Sequence, residues 1–424
     1  MKKTTILISS LLLSFLSFAQ YETDINPKEN LEKNLEKRTE DIEINEKSLP
    51  RLQISGYLQT QFQHGEKDAT LKVGLANSDL NKSFNRFGVR RGRLKFTYKK
   101  GLATGIFQID LTEKKIGLKE AYFSLKDPWH GIVTINSGVL NRPFGNEIGY
   151  SSSKLESPER SNITQTLFPE EQDLGVMLVL QAPKNNPLSL FKLEAGLFGG
   201  NGIKIEADNK MDFIGHLSAK KEISSNLKIG IGATYYNGNV YQGTENIYSI
   251  KNKGFVLNNN ISNKNEFAKR VYYGFDGQIS LESKAGLTQI RSEYLFGIQP
   301  GSASNGKSPN GSVLPNSDTY LRNFSGGYII FTQTIGTLPF TAVLKYDWLD
   351  PNCEISKNEI GLNGTNKGDI AFHTYGFGII WDVVKNITFQ AYYDVNKNEK
   401  STALMPYNND LKDNALTLRL QYKF

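Results

Sequence analysis

Six basic residues crowd the segment Arg86–Lys99 (RFGVRRGRLKFTYK): Arg86, Arg90, Arg91, Arg93, Lys95 and Lys99. Leu94, Phe96 and Tyr98 alternate with the later ones. A strand has a side-chain period of two, so these three share one face while Arg91, Arg93, Lys95 and Lys99 share the other. At the lipid face of a membrane barrel each Arg or Lys near the midplane costs ~2–4 kcal/mol, so in such a barrel the bases must face a polar lumen. The chemistry of this stripe is electrostatic. It attracts anions, as rings of Arg and Lys do in anion pores, or it pairs with lumen acids such as Asp110 and Glu120 and braces the wall. The two roles are compatible. Alternation brings further bases to the same side: Arg291 opposite Ile290, Tyr294 and Phe296; Lys345 beside Asp347; and Arg419. Glu293 and Asp347 on those faces predict a lumen of mixed sign, whose transverse field orients polar solutes.

Catalytic constellations are not apparent. The four histidines, His64, His130, His216 and His373, are dispersed, and no Ser or Asp stands in a recognisable relation to them. A single cysteine, Cys353, removes a disulfide framework and a cysteine-based zinc site. No phosphate-cradling glycine motif leads into a helix. The expectation is a non-enzyme with no cofactor, no metal and no nucleic-acid partner.

The elements that must position the bases are strands. The final segment puts Leu416, Leu418, Leu420, Tyr422 and Phe424 on one face and Thr417, Arg419, Gln421 and Lys423 on the other. This is the pattern of a barrel-closing strand with lipid outside and a polar interior. Residues 1–19 read as an export signal: Lys2 and Lys3, an apolar stretch Ile6–Leu16, and a small-x-small site at Ser17-Phe18-Ala19. That stretch is too short to span a membrane as a helix, so a membrane-bound mature chain must span with strands. Residues 20–50 form a charged periplasmic arm, flexible or a short helix, with nine acids against five bases over 21–50. With +7 on the whole chain and +2 from Lys2 and Lys3, residues 51–424 carry +9.

From Arg51 onward sixteen strands are expected, near 51–62, 86–99, 102–111, 115–126, 131–141, 173–183, 189–198 and 210–223 in the first half. The second half supplies 226–237, 267–280, 285–298, 320–334, 338–350, 369–381, 385–396 and 413–424. The strands at 115–126 and 320–334 do not alternate cleanly. Long polar connections (63–85, 142–172, 238–266, 299–319, 351–368, 397–412) alternate with tight ones such as Lys100-Gly101 and Ser224-Ser225. This asymmetry suits extracellular loops at one barrel end and periplasmic turns at the other. Trp129, Trp348 and Trp381 fall at or beside strand ends, as interfacial anchors do. The fold class is therefore all-β: a sixteen-stranded antiparallel transmembrane barrel over 51–424.

A second stretch, Gly138–Val176, carries a Gly-x-x-x-x-Pro-Phe-Gly-x-Glu block, then serines, then Glu-Arg and a Leu-Gly-Val strand. With Gly138, Pro143, Phe144, Gly145, Glu147, Glu159, Arg160 and Leu174-Gly175-Val176, and with Arg90–Arg93 and Ala121-Tyr122 upstream, it resembles the phosphate-selective porin O/P family. The likeness is specific over roughly 86–180 and architectural beyond. It implies a homotrimeric porin whose third loop folds into the barrel and narrows it. Pro143 would stiffen the loop's entry, while Gly145 and Gly149 would permit sharp turns. Arg142, Lys154 and Arg160 would project toward the constriction, opposite the Arg91/Arg93/Lys95 stripe. Against the family pattern, Glu147, Glu156, Glu159, Glu170, Glu171 and Asp173 make the loop region acidic.

The functional expectation is an outer-membrane porin for passive diffusion of small hydrophilic solutes, mildly favouring anions. Its partners would be outer-membrane lipid, such solutes, its own copies, and the barrel-assembly machinery that reads Phe424 at the chain end. A binding or adhesion barrel without transport is the alternative, on the strength of the long loops. A gated energy-coupled receptor is excluded, because it needs about 22 strands and a plug domain.

Overall fold

A computed structural model describes residues 50–309 and 314–424. The export signal and, apart from Pro50, the charged arm lie outside the described residues. The first nine strands are β1 (Arg51–Gly65), β2 (Phe84–Lys100), β3 (Ala103–Leu111), β4 (Ile116–Lys126), β5 (Val133–Asn141), β6 (Gln172–Leu180), β7 (Phe191–Phe198), β8 (Asp212–Ser224) and β9 (Leu227–Tyr241). The others are β10 (Asn246–Lys251), β11 (Gly254–Asn259), β12 (Phe267–Ser283), β13 (Gly286–Gly301), β14 (Thr319–Thr334), β15 (Phe340–Asp350), β16 (Phe372–Val384), β17 (Ile387–Asn398) and β18 (Ala415–Lys423).

Sixteen of these form a closed antiparallel barrel. Each pairs with its neighbour in sequence, β9 pairs with β12, and β18 returns to β1. Closure leaves no strand edge, so every ladder hydrogen bond is met within the wall, as hydrocarbon demands. Phe424 extends the seam: Gly56 and Phe424 exchange backbone hydrogen bonds of 2.9 and 3.0 Å. The remaining pair, β10–β11, is a hairpin in the connection expected to be irregular at 238–266. Its turn residues Asn252 and Lys253 both take positive φ, 49° and 64°, which suits the twist of a two-residue hairpin. A two-residue parallel bridge joins β10 to β14.

The outer face is apolar. Leu174, Val176, Leu178 and Leu180 on β6, and Tyr375, Phe377, Ile379 and Trp381 on β16, are exposed in alternation. Toward the loop end, rings step from Tyr235 through Tyr273, Phe296, Tyr294, Trp348 and Tyr346 to Tyr375, with successive centroids 5.0–6.3 Å apart. Such a belt with an aromatic girdle is the exterior of a membrane-spanning barrel.

The irregular register expected at 115–126 comes from a bulge. Gln108 faces Glu120 while Ile109 faces Leu118, which leaves Lys119 as the extra residue. A second bulge lies in β2, where Gln59 faces Arg91 and Thr60 faces Val89. Strict alternation would have sent Arg90 into lipid; the bulge turns it inward.

The interior differs from the uniformly polar lumen expected from alternation. The connection 142–171 enters the barrel and carries a short helix, α1 (Asn162–Leu167). Its Phe144, Ile148, Ile163, Leu167 and Phe168 are buried against inward-facing wall residues including Met177, Phe198, Ile214, Tyr236, Tyr272, Leu295 and Phe324. Phe144 and Phe168 sit 4.8 Å apart, ringed by Tyr236 and Tyr272. A loop that crosses a lumen has to bury its own apolar side chains, so the wall opposite it is apolar too. In β14 the inward Phe324 joins this cluster, while the inward Tyr328 and Ile330 pack with Val343 and Tyr392 of the wall, and together they obscure its alternation.

Candidate functional site

The infolded loop is set at its root by the block that marked it in the sequence. Gly138 has φ 132°, and a Cβ there would meet the Ala121 carbonyl at 2.2 Å. Pro143 precedes Phe144, which lies at the centre of the apolar cluster. Gly145 has φ 62° and sits where a Cβ would strike the Glu293 carboxylate. Gly149 is not in the left-handed region, and a Cβ there would meet only the Asn146 carbonyl, at 3.9 Å. The Glu293 carboxylate accepts from the backbone N–H groups of Asn146 and Glu147. Glu147 in turn accepts from Ser161, at 2.9 Å from its N–H and 2.5 Å from its hydroxyl, closing the loop on itself.

The acids of the loop region meet the bases of the wall. Glu159 takes a bidentate pair from Arg90 at 2.7 Å, one bond from Arg91 at 2.7 Å and one from Arg419 at 3.3 Å. Burial alone would raise its pKa, yet the guanidiniums of Arg90, Arg91 and Arg419 outweigh burial and hold the carboxyl well below the usual glutamate range. Arg291 forks onto Glu156 and lies 4.0 Å over the Tyr150 ring. Arg142 pairs with Asp173 at 2.9 Å, and Arg160 with Glu171 at 2.8 Å. Arg93 donates to Ser152 at 3.1 Å and stands 3.6 Å from Asp110, while Lys95 pairs with Glu120 at 2.7 Å.

The bases expected at the site therefore divide into groups. Arg91, Arg93, Arg142, Arg160 and Arg419 are buried and engaged with the loop or the wall. Asp173 and Glu171 hold Arg142 and Arg160 at the base of the loop, and Arg160 borders the space beside the stripe, which Arg142 does not. Lys99 and Lys154 are exposed, and Lys95 is half-buried with its partner. Arg291 and Lys345 border cavities. Alternation misses Arg90; the only hint in the sequence is that Arg90-Arg91 in strict register would expose one guanidinium to lipid.

The loop leaves cavities on both sides of itself. The loop-side vestibule, about 460 Å³, is lined by side chains such as Asp68, Lys72, Lys307, Lys367, Asp394 and Asp413. On the turn side a cavity of about 660 Å³ lies beneath the loop, bordered by Glu120, Lys192, Glu194, His216 and Arg291. It continues into a mouth of about 1050 Å³ that carries Lys126, Lys184, Lys220, Lys221, Lys228 and Arg291 against Glu222 alone. Lys228 pairs with Glu222 and Arg291 with Glu156, so Lys126, Lys184, Lys220 and Lys221 make this mouth positive, while acids and bases are mixed in the loop-side vestibule. A fourth space of about 290 Å³, between the arginine stripe and the loop, borders Arg90, Arg91 and Arg93.

No protein-family model matches the chain, and no curated protein matches it. Solved structures of similar fold include the outer membrane channel DcaP of Acinetobacter baumannii, with TM-score 0.54 and 11% identity over 89% of this chain and 98% of that one. Pseudomonas putida OprB gives TM-score 0.54 and 11% identity over 92% and 96%. Salmonella typhi OmpF in complex with daunomycin gives 0.53 and 11% over 88% and 97%. At this identity the likeness is one of fold: a sixteen-stranded porin barrel.

Proposed function

We propose that this chain is an outer-membrane porin through which small hydrophilic solutes diffuse passively, with a mild preference for anions, phosphate and other oxyanions among them. The observation that carries this reading is a pair of polar vestibules on either side of an infolded loop within a closed, lipid-facing barrel. The anion bias belongs to the turn-side mouth with Lys126, Lys184, Lys220 and Lys221. It does not belong to the arginine stripe, whose positive charge is taken up by Glu159, Asp110 and Glu120. Compensated charges of this kind support only weak selectivity, so strict phosphate selectivity is not part of the proposal. The resemblance of residues 86–180 to the phosphate-selective porin O/P family supports the channel reading.

A homotrimer is proposed with it. On β3–β5 the outward face is paved with small residues, Gly105, Ala121 and Ser137, flanked by Phe107 and Phe123, and forms a shallow groove suited to a neighbouring copy. The lysine-led apolar start would direct export, and terminal Phe424 would be the handle for barrel assembly. Reversal potentials in planar bilayers under a KCl gradient test the function. A small anion-directed potential is expected, cation preference would overturn the anion bias, and absence of any current would favour the binding-barrel alternative.

A further inference from the structure

The loop-side vestibule and the turn-side cavity beneath the loop have two residues in common among the described residues, Ser157 and Lys345. The two cavities approach each other at this pair. The space beside the arginine stripe has Glu159, Arg160 and Gln165 in common with the loop-side vestibule, and no residue in common with either turn-side cavity. It is a side pocket of one vestibule, off the line between the two. We infer that the constriction lies between the loop and β15, away from the arginine wall, and that Lys345 is its specificity-determining residue, a cationic bolt that a passing anion displaces from its partners. The inference rests on the channel reading above.

The contacts of Lys345 suit this role. Its Nζ stands 3.4 Å from the Ser157 hydroxyl, 3.4 Å from the Glu159 carbonyl, 3.5 Å from the Asp347 carboxylate and 3.8 Å from that of Glu147. The Tyr328 ring lies 5.7 Å away. Two carboxylates, two neutral oxygens and a ring surround the ammonium, yet every oxygen lies beyond the ~2.7–2.9 Å of a tight charge-assisted hydrogen bond. By contrast Arg91 and Lys95 each reach their carboxylate at 2.7 Å. A cation held by several loose partners loses little when one is exchanged for a solute oxygen. A flexible four-carbon stem lets it swing without moving the wall. An anion arriving at this point finds the ammonium and is repelled by Asp347 and Glu147 on either side, so it is drawn in and released instead of trapped. Binding firm enough to admit and weak enough to release is what conduction requires.

The test places a cysteine at the bolt. In full-length protein with Cys353→Ser, Lys345→Cys is reconstituted in planar bilayers, and a small anionic methanethiosulfonate reagent is added to one side at a time. The expected result is reaction from either side, with the current falling to about half or less. Arg93→Cys in the same background is expected to react from the loop side only. Should Lys345→Cys fail to assemble, Lys345→Gln is expected to lower the anion-to-cation permeability ratio about twofold, with recovery in Lys345→Arg. A Lys345→Cys current that the reagent leaves unchanged, or reaction there from one side only, overturns this assignment and leaves the channel reading standing. If the wild-type chain carries no current, both fall.

Discussion

Replacing Glu159 by Gln removes the counter-charge of three guanidiniums while keeping the shape of the side chain. Arg91 and Arg419 are 4% and 3% exposed at the side chain, so the loss resembles breaking a buried ion pair from one end, about 3–5 kcal/mol. Against it stands the apolar anchorage of the loop. Five of its side chains, Phe144, Ile148, Ile163, Leu167 and Phe168, are buried. At ~1.5–3 kcal/mol each they contribute about 8–15 kcal/mol. The loop therefore stays rooted in the barrel, and only the stretch around Ser157–Glu159 comes off the arginine wall. At 1.4 kcal/mol per factor of ten, the detached form gains about two to three and a half powers of ten in population. Two signals follow in single-channel recordings: open-channel current noise rises, and the reversal potential moves toward anions as three guanidiniums lose their partner. If Glu159→Gln leaves both unchanged, the clamp is not what holds this part of the loop, and the electrostatic account of the site is wrong.

Acid should reach the same clamp late. A carboxyl whose pKa is depressed on folding contributes its stability in full above its unfolded value, near 4.5, and loses it as pH falls through the folded value. Current noise should therefore match at about pH 7 and about pH 5 and rise only well below the ordinary glutamate range; onset between about pH 5 and 6 would contradict the three-arginine site. Phe144→Ala should weaken the docking of the loop by about 3–5 kcal/mol and open Lys154 and Arg160 to trypsin, read as new fragments from an intact barrel. Gly145→Ala puts a Cβ at φ 62° and 2.3 Å from the Glu293 carboxylate. It should cost about 1–3 kcal/mol and give the same cleavage, whereas Gly149→Ala, with its nearest neighbour at 3.9 Å, should behave as wild type.

The wall is legible in the order of residues alone. Every strand expected between 51 and 424 is present in the barrel, because a wall between lipid and a polar interior imposes a period of two that local reading can see. Tight turns and long loops alternate for an equally local reason. Interruptions of that period were visible only as conflicts: Arg90 beside Arg91 and the unclear face at 115–126 both mark bulges, and the partner strand decides where a bulge falls. The 238–266 connection hid its hairpin, because six-residue strands in an Asn-rich stretch carry little pattern.

What the tertiary structure alone decided is which charge meets which. Arg91 and Arg419 read as lumen bases open to solute or to wall acids, and Glu159 as an acid at odds with an anion pore, because separations of 68 and 260 residues hide that they touch. A loop crossing a lumen brings its own counter-ions and its own apolar core, and neither has a period along the chain. Charges a few ångströms apart neutralise one another, so the excess positive charge lies at the turn-side mouth, while Lys345 shares its charge loosely with Asp347 and Glu147. Strand pattern is local physics; neutralisation depends on distance in space, which only the folded chain sets.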